Sequence, residues 1–217
     1  MKKLAIFDLD GTLIDSIQDL HNSVNYSLNK NGYPLQSLDH TRKSIGNGVA
    51  MLMKRSLPSD ISSTEYKKAL NDFEKDYKIH SQDNTKPFVG MKEVLISLKE
   101  KGFLLAVSTN KLESVAKIII DNFFPNIFST VCGDNGIRNK KPSPDSIYEI
   151  EKRLNISNSD LIYYIGDSEV DYQTAKNASV NPIIVSYGYR TKDELLSKIN
   201  DDIIIVDNCA NLPLFIK

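Results

Sequence analysis

Only two cysteines, Cys132 and Cys209, occur among 217 residues. That is too few for a disulfide framework or a cysteine-rich zinc cluster, and it fits a reduced compartment. Neither sign of charge prevails: 27 lysines and arginines stand against 28 aspartates and glutamates, a formal net charge of −1. Such a balance supplies no field for gathering nucleic acid or an anionic membrane surface. Long apolar runs are missing too, and no stretch approaches the length of a membrane span. Behind the basic Met1-Lys2-Lys3, the apolar run Leu4-Ala5-Ile6-Phe7 ends at Asp8, well short of a signal peptide's core. Internal repeats, low-complexity tracts and lipidation signals are absent, and no apolar helix face stands out as a subunit interface. These absences leave a soluble, cytoplasmic chain whose partners are small molecules. Its length suits one domain with a full core, or a larger domain carrying a smaller one.

The short run is where the chemistry begins. Leu4 to Phe7 is apolar at successive positions, as in a strand of a parallel sheet buried on both faces, and it runs directly into Asp8-Leu9-Asp10-Gly11-Thr12. Two residues apart on an extended chain, the Asp8 and Asp10 side chains leave the same side, so two carboxylates converge unless a cation or a shared proton relieves them. Mg²⁺ is the simplest remedy, because it takes oxygen ligands and is usually held by one or two carboxylates plus a phosphate. Gly11 lets the chain turn sharply and brings N–H groups close to an anion, and Thr12 can cap the next element. Asp-x-Asp-Gly also opens a calcium loop, but there further ligands and a closing glutamate follow at fixed spacing, whereas here Leu13 and Ile14 follow. A plain strand-to-turn junction with two solvated aspartates is the remaining alternative.

Residues 16 to 80 carry helical periodicity and little strand character. Ile17, Leu20, Val24 and Leu28 recur at three- and four-residue steps until Gly32 and Pro34 end the helix, and Ile45 to Leu57 and Thr64 to Ile79 continue the pattern. Tyr66, Leu70, Phe73 and Tyr77 form a stripe suited to a core. From Pro87 onward the texture changes: helix Met91 to Lys101, strand Phe103 to Val107, helix Leu112 to Asn122, helix Pro144 to Leu154, strand Leu161 to Ile165, helix Glu169 to Ala178 and strand Pro182 to Val185. Alternation of this kind means βαβ units and a parallel sheet. The expected fold is α/β, a Rossmann-like parallel sheet flanked by helices and built from residues 1–14 and 86–217, with an all-helical cap at 15–85 over the strand ends. Ligands of such sheets bind at the carboxyl ends of the strands.

Three more polar clusters stand at strand ends. Ser108-Thr109-Asn110 offers a hydroxyl and an amide there, although it serves equally as turn and helix-cap chemistry. Lys140-Lys141-Pro142-Ser143-Pro144 places lysine beside a stiff turn, where it either neutralises a phosphate or belongs to a solvated basic loop. Gly166-Asp167-Ser168-Glu169-Val170-Asp171 follows strand 161–165; Glu169 and Asp171 also suit a helix start, which explains Asp167 less well.

Carboxylate pair, hydroxyl with amide, lysine, then carboxylate: this order resembles the four motifs of the haloacid dehalogenase superfamily of aspartate-nucleophile hydrolases, over essentially the whole chain. Within it, Asp15-Ser16-Ile17-Gln18-Asp19-Leu20, Ile45-Gly46-Asn47-Gly48 and Thr109-Asn110-Lys111 are most similar to the phosphoglycolate phosphatase branch. The resemblance implies an Mg²⁺-dependent phosphatase in which Asp8 is the nucleophile that becomes an aspartyl-phosphate and Asp10 is the general acid and then base. It further implies that Thr109 and Lys141 complete the phosphate cradle, with Gly11, Thr12 and Asn110 beside them. Asp8, the carbonyl of Asp10 and Asp167 would hold the metal, supported by Asp171. Leaving-group contacts are expected from Arg42, Gly46, Asn47 and Gly48, which otherwise serve helix capping and surface charge.

The implied substrate is a small phosphorylated metabolite, 2-phosphoglycolate foremost, with nucleotides, pyrophosphate or sugar phosphates as alternatives. A non-catalytic phospho-ligand module is a further rival, disfavoured because every catalytic position is filled. Mutases of the superfamily carry a cap histidine on this helix, for which His21 is the nearest match, but their position corresponds to Leu20 here, which argues against a mutase. His40 and His80 are expected at the surface. Ala178-Ser179 departs from the glycine usual after the last motif's helix, which puts that turn in question.

Overall fold

A computed structural model describes residues 1–157 and 159–217. Two compact units form: Met1–Ile14 with Pro87–Lys217, and Asp15–Lys86. In chain order the elements are β1 (Lys3–Phe7), β2 (Ile14–Asp15), α1 (Ile17–Lys30), α2 (Leu38–Ser44), α3 (Val49–Ser56), α4 (Ser63–His80), β3 (Lys86–Pro87), α5 (Met91–Glu100), β4 (Phe103–Leu112), α6 (Glu113–Phe123), β5 (Thr130–Asp134), α7 (Asp145–Leu154), β6 (Leu161–Gly166), α8 (Glu169–Asn177), β7 (Asn181–Val185), α9 (Lys192–Lys198), β8 (Ile205–Val206) and α10 (Leu212–Phe215). No helix among the described residues is long and apolar enough to cross a membrane.

The larger unit is an α/β Rossmann-like fold. Its six-stranded sheet runs β5-β4-β1-β6-β7-β8, parallel at every junction. Strand β1 is central because it is apolar on both faces: Leu4, Ala5, Ile6 and Phe7 are fully buried, as parallel strands covered by helices require. On one face Leu4, Ile6, Ile162 and Tyr164 pack with Ile147 and Ile150 of α7 and Ala175 of α8. Helix α5 buries Met91, Val94, Leu95 and Leu98, the 3.6-residue stripe of an amphipathic helix. The chain builds outward from β1 through β4 to β5, then crosses back to β6 on the other side, so the sheet order reverses beside β1. Ligands of open α/β sheets bind outside the strand ends at such a reversal.

The smaller unit is helical. Helix α1 packs on α4, with Leu20, Val24 and Leu28 buried on one and Ala69, Phe73 and Tyr77 on the other. Phe73 and Tyr77 stack at 5.4 Å, and Ser27 Oγ donates to the Ala69 carbonyl at 2.7 Å. The expected helix over Ile45–Leu57 is not continuous. Helix α2 ends at Ser44, Ile45 is extended, and Gly46 (φ 118°) and Gly48 (φ 82°) hold backbone conformations that no helix contains, so α3 begins only at Val49. Strands β5 and β8 and helices α9 and α10 extend the expected element list.

The turn after α8 forms without glycine. Ser179 takes the left-handed conformation (φ 57°), its N–H reaches the Lys176 carbonyl at 3.0 Å, and the Val180 N–H reaches the Ala175 carbonyl at 3.0 Å.

Candidate active site

Asp8 and Asp167 leave the carboxyl ends of β1 and β6, whereas Thr109 and Asn110 lie within β4, which runs past the expected end at Val107 to Leu112, and Lys141 stands in the loop between β5 and α7. Asp8 follows β1, held by its N–H to the Ile165 carbonyl at 2.8 Å. The chain then doubles back: Gly11 N–H bonds the Ile14 carbonyl and Leu13 N–H the Leu9 carbonyl, both at 2.9 Å. Gly11 adopts φ 83°. Leu13 and Ile14 are fully buried, which gives these two residues a packing role where a calcium loop would carry ligands.

Asp167 ends up against this turn because three glycines leave room. A Cβ at Gly11 would lie 2.3 Å from Asp167 Oδ2, and one at Gly188 would lie 2.2 Å from the Gly11 carbonyl oxygen and 2.5 Å from Asp167 Cβ. One at Gly166 would lie 2.2 Å from Asp171 Cγ. The Tyr189 N–H donates to Asp167 Oδ2 at 2.7 Å. Asp171 belongs to the capping box that opens α8, accepting from Ser168 N–H at 3.2 Å and Ser168 Oγ at 2.5 Å. Its other oxygen takes Lys141 Nζ at 2.7 Å and Tyr164 Oη at 3.3 Å.

Lys141 therefore joins the cluster, with Nζ also 2.9 Å from Asp8 Oδ1. Asn110 fixes the lysine from behind: its Oδ1 accepts the Lys141 N–H at 2.8 Å and its Nδ2 donates to the Lys141 carbonyl at 3.2 Å. Thr109 is buried beside it, and its Oγ1 accepts the Lys111 N–H at 3.2 Å. Thr12 is buried too, and its carbonyl accepts from Tyr187 Oη at 3.1 Å.

Ligand oxygens of Asp8, Asp167 and Asp171 all lie within 4.8 Å of one another, and all three residues are buried. Burial pushes the Asp8 carboxyl up to about 7, against the Lys141 ammonium and with the repulsion of Asp171 and Asp10 adding to it. Asp167 is held well above the usual carboxylate range by burial and then by Asp171 and Asp8, while the Tyr189 N–H opposes. Burial works against the charge of Lys141, but Asp171 and Asp8 outweigh it and keep the ammonium far above its ordinary value. Three buried carboxylates lie in this cluster with one ammonium, which pairs with Asp8 and Asp171, while Asp167 faces the Tyr189 N–H and the charge of Arg190. An all-oxygen donor set with that excess of negative charge fits a hard divalent cation.

Asp10 stands apart from this trio. Its carboxylate takes Lys111 Nζ at 2.9 Å on one oxygen and 3.2 Å on the other. Sequence reasoning singled out neither Lys111 nor Gly188 as a site residue. Signals existed for both: Lys111 directly follows Thr109-Asn110, and Gly188 follows a strand end as Gly11 does.

The remaining candidates lie in the helical unit. Arg42 is paired with Asp39 on α2 at 3.1 Å. Asn47 accepts Arg55 Nη2 at 2.9 Å, and Arg55 Nη1 donates to the Ser44 carbonyl at 2.8 Å, so α3 braces the loop that carries Gly46, Asn47 and Gly48. His21 sits between Thr41 Oγ1 (3.0 Å) and Asn25 (3.2 Å), and burial lowers its pKa. His40 and His80 contact the Arg55 carbonyl and the Asp83 carboxylate.

Residues 5–185 match the family model described as haloacid dehalogenase-like hydrolase. The phosphoglycolate phosphatase of Psychrobacter arcticus is 36% identical over 196 residues, spanning 87% of this chain and 85% of that protein. The phosphoglycolate phosphatase of Aquifex aeolicus is 32% identical over 212 residues, spanning 95% and 97%. A crystal structure from Lactobacillus delbrueckii subsp. bulgaricus superposes with a TM-score of 0.91 at 30% identity, covering 100% of this chain and 99% of that one.

Proposed function

The chain belongs to the haloacid dehalogenase-like hydrolase family, and on that premise we propose that it is an Mg²⁺-dependent phosphatase that hydrolyses 2-phosphoglycolate through a phosphorylated Asp8. The observation that carries this reading is the buried trio Asp8, Asp167 and Asp171 at a sheet reversal, with Lys141 bridging Asp8 and Asp171 and a separately held Asp10 two residues from Asp8. The relatives' shared name supports a phosphoric monoester hydrolase, and supports glycolate as the leaving group.

Asp8 attacks phosphorus in line with the leaving oxygen, and the P–O bond to the alcohol breaks as the aspartyl-phosphate forms. Asp10 gives its proton to the departing alkoxide. Water then attacks phosphorus while Asp10 takes its proton, which frees Asp8 and phosphate. One difficult displacement becomes two easier ones. Lys141 neutralises charge on the nucleophile and the phosphoryl oxygens, and Thr109 Oγ1 donates to one of them; Asn110 acts through the Lys141 main chain. Gly11 and Thr12 present the turn to the phosphoryl group. The cation, held by Asp8, the Asp10 carbonyl and Asp167 with Asp171 in support, supplies positive charge against the transferring group when bound. In this reading Arg42, Gly46, Asn47 and Gly48 of the helical unit read the leaving group.

The test is kcat/KM with Mg²⁺ across 2-phosphoglycolate, nucleotides, pyrophosphate and sugar phosphates. The expected ranking puts 2-phosphoglycolate first. A higher value for another ester would overturn the substrate; tight phospho-ligand binding without turnover of any of them would overturn the phosphatase.

A further inference from the structure

Lys111 is a buried cation with no task in the mechanism above. Its side chain is 3% exposed, and Nζ reaches both oxygens of Asp10, at 2.9 and 3.2 Å. The main chain that delivers it is fixed on both sides. Its N–H donates to Thr109 Oγ1 at 3.2 Å. Its carbonyl runs so close to β5 that a Cβ at Gly133 would lie 2.7 Å from it and 2.5 Å from Glu113 Cα. Glu113 in turn accepts the Gly133 N–H at 3.2 Å. The pairing of β4 with β5 shifts register between Ser108 and Leu112, which is the stretch that carries Lys111. Stability alone is a weak reason for this construction, since an apolar replacement for a buried ion pair is often neutral.

We propose that Lys111 is a positioning residue for Asp10, fixing the carboxyl group so that it meets the leaving-group oxygen rather than swinging on its side-chain torsions. The inference rests on the reading of Asp10 as the proton donor. Positioning of this kind matters only where a proton must be delivered. An alkyl phosphate expels a strongly basic alkoxide that needs the proton in the transition state, whereas p-nitrophenyl phosphate expels a stable anion that does not. The ratio kcat/KM covers steps up to phosphoryl transfer, so it isolates the event in which the two esters differ.

The experiment compares kcat/KM of Mg²⁺-loaded wild type, Lys111→Met, Asp10→Asn and the double variant. The substrates are p-nitrophenyl phosphate and the best alkyl phosphomonoester of the panel above. For Lys111→Met, the alkyl ester is expected to lose on the order of 100-fold, the scale of a misplaced catalytic group, and the aryl ester less than about 5-fold. Asp10→Asn should show the same selectivity, and adding Lys111→Met to it should change neither rate. Lys111→Gln, which keeps a long polar side chain, provides the same ratio if the methionine variant does not fold.

Equal losses on both esters, or a further alkyl-selective loss in the Asp10→Asn background, overturn the inference about Lys111. Equal losses on both esters in Asp10→Asn itself, or a wild type that hydrolyses neither ester, overturn the reading of Asp10 and the inference with it.

Discussion

Raising the pH should loosen the metal-free protein. The Asp8 carboxyl, driven from an unfolded value near 3.8 up to about 7 chiefly by burial, binds its proton more tightly in the folded chain than in the unfolded one. A raised carboxyl pKa makes the stability change negative on going up in pH: nothing is lost below about 4, and the loss grows until the folded value is passed. From those two values, ionising Asp8 removes about 2–3 kcal/mol between pH 5 and 8. Asp167, raised in the same direction by burial and by Asp171 and Asp8, adds to the fall. The assay is urea denaturation at pH 5, 6.5 and 8 in EDTA, with Asp8→Asn measured in parallel. Wild type should lose stability relative to Asp8→Asn as pH rises, and saturating Mg²⁺ should recover more of it at pH 8 than at pH 5. A gap between the two proteins that stays constant with pH would show that Asp8 ionisation is not the cause, as would Mg²⁺ stabilising them equally at all three values.

Lys141→Met should destabilise the protein by about 3–5 kcal/mol, because it leaves the fully buried Asp171 carboxylate facing Asp8 without its cation; denaturant midpoints measure this. Gly188→Ala should lower stability by about 1–3 kcal/mol and reduce turnover, since the added methyl falls on the Gly11 main chain and on Asp167; steady-state rates and urea midpoints check both parts. Ser179→Gly should stabilise by roughly 0.5–1 kcal/mol by removing a left-handed non-glycine residue, seen as a rise of about 1–4 °C in thermal midpoint with unchanged kcat/KM.

Much of this architecture could be read from residue order because the central strands are apolar on both faces. Leu4 to Phe7 and Leu161 to Ile165 carry no alternation, and each runs into an acidic cluster. The edge strands were harder to read. Thr130–Asp134 is short and polar at both ends, and β8 pairs over only two residues, although the apolar run Ile203 to Val206 is as long as Leu4 to Phe7 and was a signal for it. Periodicity carried Ile45 into a helix because apolar spacing does not see the positive φ of Gly46 and Gly48. Helix α9 was missed because its signal, the capping box of Thr191 and Glu194, is a pattern of two residues rather than a stripe.

Asp8, Lys141, Asp167 and Asp171, which come from separate stretches of the sequence, lie together in one buried cluster. Asn110 is engaged with the Lys141 main chain, and Asp10 with Lys111. Those side-chain partners depend on a register shift in β4 and on Gly133, a tertiary fit that spacing along the chain does not encode.

The proposed function depends on Asp8 carrying the phosphoryl group during turnover. Acid-quenching the Mg²⁺-loaded enzyme with excess 2-phosphoglycolate, then digesting and weighing the peptides at low pH, tests it directly. One phosphoryl adduct is expected on the peptide containing Asp8, absent from Asp8→Asn. Turnover with no adduct on that peptide, or with an adduct on another residue, would contradict it.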